Sequence, residues 1–338
     1  MMNSNRPLIV IPMGDPAGIG PEITVKALSK KEICGISRSV VTGDLGILEK
    51  AADICGIDTK FHVIGDPAEG IYEEGTIDVI DLHNIDPGQF CYGKVSAMCG
   101  RAAYEYIEKA IELAMAGKAD AVATTTINKE SLRAADVPYI GHTEIFGALT
   151  GTEEPLTMFE LEDMRILFLS RHMSLRKACD YVTKEHIISC VRKGYRALQQ
   201  LGIEDPRIGV AGLNPHCGEH GLFGDEEVRE IIPAVEELQE EGYRVYGPVG
   251  ADSVFWQARN GRYDCVLSLY HDQGHIASKT VDFNRTISIT CGMPILRTSV
   301  DHGTAFDIAG KGIADEISLC EAVRKAVRYA PAFRRSRD

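Results

Sequence analysis

The chain of 338 residues is long for one hydrophobic core, which favours two domains or one large α/β unit with a deep cleft. No stretch approaches the roughly 18 unbroken apolar residues of a membrane helix, so a membrane-spanning protein is not expected. The net charge of −13 disfavours a general nucleic-acid partner, because such binding depends on Lys and Arg neutralising many phosphates.

The chain repeats a short Val- and Ile-rich run, a glycine-containing turn and a segment of helical periodicity. The first run, Pro7 to Met13, leads through GDPAGIG into a predicted helix in which Pro21 suits the first position and Glu22 the first turn. A long helix follows, because apolar residues recur at helical spacing from Cys99 to Ala114 and Gly117 offers a stop.

Four further runs have the composition of buried strands: Asp120–Thr126, Arg165–Ser170, Arg207–Leu213 and Asp264–Tyr270. A helix is expected from Lys184 to Leu198, and Pro233 should kink or break another. This alternation predicts a mostly parallel sheet with crossover helices. We expect one domain of residues 1–127 plus 291–338 and a second of residues 128–290.

The cysteines and the amino-terminal segment indicate a cytoplasmic protein. Ten cysteines include no CxxC pair, which argues against a disulfide framework and against a zinc ribbon. The first residues lack the basic region, long apolar region and cleavage site of a signal peptide. We therefore expect thiols in a reducing compartment.

Histidines follow three of the predicted strands: His172, His216 and His271. Ligands of open parallel sheets bind beyond the carboxyl ends of the strands, so these side chains are expected at one edge. Imidazole is the usual neutral ligand of zinc and related divalent metals, and three such ligands leave a position open for a substrate oxygen. The pattern predicts a catalytic metal centre, and the alternative is that each histidine is a hydrogen-bonded core or loop residue.

Two glycine-containing segments are candidates for binding phosphate or nucleotide. The GDPAGIGPE loop enters a helix N-terminus, but its glycines fit neither GxGxxG nor GxxxxGK[ST] and Asp15 would repel a phosphate, so a structural turn is an equal alternative. The segment Ile295 to Asp315 combines an arginine, hydroxyls, a histidine and glycines, and is either a ligand site or a connector. After the strand-end histidines, Lys279 and Arg297 are the best candidates for phosphate partners, and the alternative is that they are solvated surface groups.

Six motifs occur in one order along the chain: MGDPAGIGPE, INKE, GHTE, NPHCGE, YHDQG and RTSVDHGTA. Together they resemble the 4-hydroxythreonine-4-phosphate dehydrogenase family of pyridoxine (vitamin B6) biosynthesis, from Met13 to about Asp315. The resemblance implies an α/β fold like that of isocitrate and isopropylmalate dehydrogenases, with two α/β domains and a cleft between them. It also implies a phosphorylated small-molecule substrate and a homodimer with shared active sites.

The resemblance assigns roles to individual residues. One divalent metal ion (Zn, Mg, Mn or Co) would be bound by His172, His216 and, from the second subunit, His271. The substrate would contact His142, Thr143, Lys279, Ser288 and Arg297. The HGTAFDIAGKGIAD segment resembles the adenosine-binding segment of isocitrate and isopropylmalate dehydrogenases, which implies NAD, or NADP, at His302, Gly303 and Asp307. Candidates for the catalytic base are Asp252, Asp272 and Lys279.

The implied reaction is a NAD-dependent, metal-assisted oxidation, with decarboxylation, of a 4-phosphorylated hydroxy acid. Ser288 stands where the pyridoxine enzymes have Asn. The segments GLFGDEE and HDQGHI resemble those of the branch that acts on D-threonate or D-erythronate 4-phosphate. The sequence therefore favours these substrates over 4-hydroxythreonine 4-phosphate. Two alternatives are a three-histidine metal-dependent hydrolase of a small phosphorylated metabolite and a non-catalytic binding protein. The HGTAFDIAGKGIAD segment favours the dehydrogenase, because a hydrolase needs no nucleotide.

Overall fold

The computed structural model describes residues 6–336 and has the predicted α/β fold. Its strands are β1 Leu8–Pro12, β2 Arg38–Gly43, β3 Lys60–Val63, β4 Thr76–Asp81, β5 Ala121–Thr124, β6 Leu156–Leu161, β7 Met164–Phe168, β8 Ile208–Ala211, β9 Val245–Val249, β10 Cys265–Ser268, β11 Ile287–Cys291 and β12 Arg297–Val300. Its α-helices are α1 Gly20–Leu28, α2 Lys31–Ile36, α3 Leu45–Cys55, α4 Ala97–Met115, α5 Lys129–Ala134, α6 His142–Thr150, α7 Leu175–Asp180, α8 Lys184–Gln200, α9 Ile232–Glu240, α10 Ala251–Arg259, α11 His271–Val281 and α12 Ile317–Arg335.

The chain divides into two compact units. Unit 1 comprises the described residues up to Pro155 and those from Met293 onwards, and unit 2 is Leu156–Gly292. The first boundary was expected near residue 127, but α5 and α6 pack on α4 and therefore belong to unit 1. The second boundary was expected at residue 290 and follows Gly292.

The sheet of unit 1 has the strand order β3-β4-β2-β1-β5-β12, and each of these neighbouring pairs is parallel. Val10 on β1 pairs with Val40 on β2 and Val122 on β5, and all three are fully buried. Continuous apolar runs are typical of parallel strands covered on both faces. Helices α4 and α12 provide that cover by packing on the central strands.

The strands of unit 2 have the order β11-β6-β7-β10-β8-β9. The run β7-β10-β8-β9 is parallel, whereas β6 is antiparallel to both β7 and β11. The carboxyl ends of β7, β10 and β8 therefore lie side by side. These are the strand ends that precede His172, His271 and His216 in the chain.

Helix termination follows local chemistry in several places. Gly117 adopts a left-handed φ of 70° directly after α4 and its C-cap residue, as the sequence predicts. Pro233 has no N–H to donate into a helix, and the turn that precedes it, Glu227–Ile231, is π-helical before α9 begins at Ile232. The predicted kink or break at Pro233 therefore takes the form of a switch from π-helix to α-helix at Ile232.

Within residues 6–336, no helix is both long and apolar enough to cross a membrane. All ten cysteines lie in this range and are free thiols. Five of them are buried, and burial raises the pKa of such thiols, as at Cys99, to about 11. These buried thiols are packing groups and not nucleophiles.

The GDPAGIG loop is a buried turn whose N–H groups are used within the protein. The N–H of Asp15 donates to Thr126 O at 2.9 Å, and that of Ile19 donates to Thr304 O at 3.1 Å. Gly14 has a φ of +81°, and a Cβ there would lie 2.2 Å from Thr126 O. The loop therefore serves as a structural turn, since these donors are unavailable to a phosphate.

Asp15 makes the stability of this turn depend on pH. Burial raises the pKa of its carboxyl group to about 6, although Ala17 N–H donates to Oδ1 at 2.9 Å. Because the folded-state pKa exceeds the ordinary value of 3.8, folding favours the protonated form. Stability contributed by this group is present below pH 4 and is lost as the pH rises through about 6.

We therefore predict that Asp15→Asn raises the free energy of unfolding by roughly 1–3 kcal/mol at pH 7.5 and by much less near pH 4. Urea unfolding of both proteins across this pH range measures the difference. Asp58 is exposed, and Asp58→Asn is the control. Its free energy of unfolding should vary with pH as that of the wild type does. A pH-independent effect of Asp15→Asn would contradict the prediction.

Candidate active site

Two of the predicted metal ligands lie next to each other in unit 2. His172 follows β7, His271 is the first residue of α11 after β10, and their ring centroids are 6.1 Å apart. Metal–nitrogen bonds of about 2 Å allow two imidazoles at this separation to share one cation. The ring of His216 lies 6.5 Å from that of Phe223, and within the described part of a single chain the three imidazoles do not form one cluster.

The ring of His271 is held on two sides. Asp272 Oδ1 lies 2.6 Å from His271 Nδ1, and His275, one helical turn later, stacks on the same ring at 3.9 Å between centroids. A carboxylate that accepts from Nδ1–H leaves Nε2 free to bind a metal. His275 also packs on Phe159 and Phe168, and burial lowers its pKa to about 4, so it is neutral at physiological pH. His275 follows the same predicted strand in the sequence, but no role was predicted for it.

His216 lies in a turn of unusual backbone conformation. The five residues from His216 to His220 all have positive φ, between 46° and 75°, and form one left-handed turn within Pro215–Gly221. Only Gly218 among them is a glycine, and each other residue costs roughly 1–2 kcal/mol in this conformation. Such strain persists only where surrounding contacts enforce it, and it is concentrated at functional sites.

Buried polar side chains connect the three strand ends that precede the histidines. Ser170 Oγ donates to Leu269 O at 2.9 Å, which joins the end of β7 to the end of β10. Gln273 accepts from Leu269 N at 2.8 Å and donates from Nε2 to Gly212 O at 2.9 Å, which joins β10 to β8. These hydrogen bonds fix the relative positions of the histidine-bearing segments, because buried polar groups are costly to leave unpaired.

The other candidates of unit 2 lie around these segments. Asp252 is exposed in the first turn of α10. Its carboxylate is one of the nearby negative charges that, after burial, raise the pKa of Cys217, the residue next to His216. Asp252 therefore lies close to the His216 turn. Lys279 is half-buried on α11, two turns beyond His271, and Ser288 is half-buried on β11.

Unit 1 contains a buried cationic group at the predicted phosphate position. Arg297 on β12 is 4% exposed, donates from Nη2 to Thr124 Oγ1 at 3.0 Å and lies 4.9 Å from the Phe146 ring. Burial lowers the pKa of its guanidinium to about 9. His142 begins α6, followed by Thr143, and its buried Nε2 has no hydrogen-bond partner in residues 6–336. Burial and then the charge of Arg297 hold the pKa of His142 well below its usual range.

The segment predicted to bind NAD follows β12 in unit 1 and is anchored by α1. Its candidate contacts are His302, Gly303 and Asp307. The buried carboxylate of Glu22 accepts from the N–H groups of Gly310 at 2.6 Å and Gly312 at 2.8 Å. Gly303 is exposed, and nothing lies within 4 Å of where its Cβ would be. The segment is thus fixed at Gly310 and Gly312, while Gly303 and Asp307 are exposed.

One cluster of potential metal ligands in the described chain was not predicted. Donor atoms of Asp44, Asp81 and His83 lie within 4.8 Å of one another. The carboxylates, however, serve the local backbone, because Asp44 accepts from Ile47 N and Asp81 accepts from Leu45 N. We interpret this cluster as the cap of α3.

The chain belongs to the PdxA family. The family model described as "Pyridoxal phosphate biosynthetic protein PdxA" matches residues 35–326. A relative from Fusobacterium nucleatum named "Putative D-threonate 4-phosphate dehydrogenase" is 62% identical over 97% of this chain and 99% of its own. A relative of the same name from Clostridium botulinum is 56% identical over 99% of this chain and all of its own.

Solved structures agree with the fold. The 4-hydroxythreonine-4-phosphate dehydrogenase of Klebsiella pneumoniae has a TM-score of 0.91 and 40% identity, and covers 97% of this chain and 99% of its own. The corresponding enzyme of Burkholderia phymatum has a TM-score of 0.86 and 45% identity, over 96% and 98%. The predicted fold class and family are thereby confirmed.

Proposed function

We propose that this protein is a NAD-dependent dehydrogenase that uses a divalent metal ion to oxidise and decarboxylate a 4-phosphorylated hydroxy acid. The observation that carries the proposal is the parallel order of β7, β10 and β8, which places the strand ends that precede His172, His271 and His216 at one edge of unit 2. The dehydrogenase names of the relatives support the reaction class. The ten free thiols support a cytoplasmic location.

The proposed metal ligands are His172, His216 and His271. When bound, the cation would stabilise negative charge that develops on the substrate hydroxyl oxygen. Asp272 would keep the proton on His271 Nδ1, so that Nε2 remains the ligand atom. This first duty disfavours Asp272 as the base that removes the hydroxyl proton. Asp252 and Lys279 are then the better candidates for the base.

The proposed substrate contacts combine charge and hydrogen bonding. Arg297 would bind the phosphate through its planar guanidinium, and an anion beside it would favour its charged form. The neutral His142 and the hydroxyl of Thr143 stand at a helix N-terminus, which favours negative charge. Lys279 and Ser288 would contact the remainder of the acid.

NAD, or NADP, would accept the hydride, and His302, Gly303 and Asp307 are the proposed contacts with it. Glu22 would keep their segment in place by accepting from two backbone N–H groups. The segment therefore presents its exposed surface without having to be ordered by the nucleotide. Preorganisation of this kind lowers the entropic cost of binding.

D-threonate 4-phosphate is the proposed substrate ahead of D-erythronate and 4-hydroxythreonine 4-phosphates. Relatives named for D-threonate 4-phosphate reach 62% identity, and Ser288 replaces the Asn expected of the pyridoxine enzymes. Oxidation of the hydroxyl β to the carboxylate transfers a hydride to NAD and gives a β-keto acid. Loss of CO2 then leaves a three-carbon hydroxyketone phosphate.

A homodimer with shared active sites is part of the proposal. Large apolar side chains stand exposed beside each histidine-bearing segment: Leu175 at 61%, Leu222 at 72% and Ile276 at 65%. Exposed apolar groups concentrated at one functional region are typical of a protein interface. They support an interface beside the proposed site, and the family resemblance implies that His271 acts in the site of the second subunit.

We predict that the protein with NAD, a divalent ion and D-threonate 4-phosphate produces reduced-nicotinamide absorbance together with CO2. 4-Hydroxythreonine 4-phosphate should react more slowly, because Ser288 stands where the pyridoxine enzymes have Asn. D-erythronate 4-phosphate should react more slowly if the chain shares the substrate for which its relatives are named. A chelator should abolish turnover, and readdition of Zn, Mg, Mn or Co in separate assays should identify the ion. Release of phosphate without reduced nicotinamide would contradict the dehydrogenase and favour a hydrolase.

We predict that Arg297→Lys raises KM for the phosphorylated substrate by roughly 10- to 100-fold, because an ammonium group cannot make the planar paired contact. The KM for NAD should change little. Steady-state kinetics with each substrate varied separately measures both values. Arg285→Lys, an exposed arginine in unit 2, is the control and should leave both constants unchanged.

Subunit mixing tests the shared site. The His216→Ala and His271→Ala variants should each be inactive alone. If His271 acts across the interface, each mixed dimer has one site with a full ligand set and one site with neither His216 nor His271. Random exchange at equal concentrations makes about half of the dimers mixed, so about one quarter of wild-type activity should return. No restoration, with subunit exchange verified by mass spectrometry, would mean that both ligands come from one chain.

A further inference from the structure

The left-handed turn from His216 to His220 requires support from outside itself. Four of its five residues carry a Cβ and have a φ that side chains rarely adopt. Local preference therefore opposes the conformation in which His216 is presented. The contacts that hold this turn must come from the elements packed around it.

Glu227 is the buried group at the base of this turn. It is completely buried, and its Oε1 accepts from Leu213 N at 2.8 Å and from Asn214 N at 2.7 Å. Its Oε2 accepts from Asn214 Nδ2 at 2.8 Å. Leu213 and Asn214 directly precede Pro215 and His216, so this carboxylate fixes the backbone from which the turn begins.

A second contact connects Glu227 to the turn itself. Gly218 is the glycine at the centre of the turn, and a Cβ there would lie 2.8 Å from Glu227 Oε2 and 2.6 Å from Gly224 O. The turn therefore passes so close to the carboxylate that a side chain does not fit. Glu227 therefore binds Leu213 and Asn214, which lead into the turn, and lies against Gly218 at its middle.

We propose that Glu227 is a positioning residue that holds His216 in the orientation needed to bind the metal ion. The inference rests on the proposed metal centre and adds a residue that does not touch the ion. Three donors converge on one carboxylate, and its loss would leave buried N–H groups unsatisfied. The turn would then relax towards ordinary backbone conformations and His216 would leave its position.

Glu227→Gln tests this role with little change in shape. The glutamine oxygen can still accept from the two backbone N–H groups, but its NH2 group faces the NH2 group of Asn214. In the full-length, metal-free protein, titrated with Co²⁺, we expect affinity to fall by roughly 10- to 100-fold. The visible absorption of bound Co²⁺ should shift towards that of the His216→Ala variant, which a merely structural role would not produce.

Glu160→Gln is the matched control. Glu160 lies on β6 of the same unit and is 1% exposed, and its Oε1 is 3.5 Å from Nη2 of Arg165. Arg165 is near the amino end of β7, whereas His172 follows the carboxyl end of that strand. This variant should lower thermal stability while leaving Co²⁺ affinity and absorption unchanged. Wild-type affinity and absorption in Glu227→Gln would overturn the inference.

A glycine pair provides a second test if Glu227→Gln does not fold. Gly218→Ala and Gly221→Ala both place a Cβ at positive φ, 75° and 99°, but only the first would collide with Glu227. Gly218→Ala should therefore weaken Co²⁺ binding far more than Gly221→Ala. Equal effects would overturn the inference. If the wild type and His216→Ala bind Co²⁺ equally or not at all, the proposed metal centre itself fails.

Discussion

The parallel pairing of β7, β10 and β8 is the constraint on which the candidate site depends. Parallel strands place their carboxyl ends at one edge of a sheet, so residues distant in sequence meet there without any local motif. His172 and His271 come together in this way although 99 residues separate their numbers. In unit 1 the parallel pairing of β1 with β5 likewise brings Asp15 and Thr126, which follow the ends of these strands, within hydrogen-bond distance.

Strand pairing sets the approximate positions of the segments that carry the site residues, and hydrogen bonds of buried polar side chains then fix these positions more closely. Ser170 and Gln273 connect the three strand ends, Glu227 holds the left-handed turn, and Glu22 anchors the proposed nucleotide segment. Apolar packing is insensitive to small rotations, whereas these hydrogen bonds require particular distances and angles. A metal site requires such precision, because misplacement of a ligand by about 1 Å is costly.

Much of the fold was predictable, and the failures have physical causes. Apolar runs indicated β1, β5, β7, β8 and β10, because fully buried parallel strands have a distinctive composition. Strand β6 was not identified, because Thr157 and Glu160 interrupt its apolar pattern and their burial depends on partners elsewhere, such as Arg165 for Glu160. At the site, strand ends indicated the histidines. The left-handed turn could not be foreseen, since its residues oppose their own backbone preference, and Glu227 has the sequence context of a solvated helix face.

The central claim is that His172, His216 and His271 bind one divalent ion. A crystal structure of the protein grown with Co²⁺, with anomalous scattering measured at the cobalt edge, tests it most directly. The account predicts a single strong peak at about 2.1 Å from a nitrogen of His172, of His216 and of His271 of the partner subunit. An anomalous peak at other residues, or none at these three imidazoles at full metal loading, would contradict it.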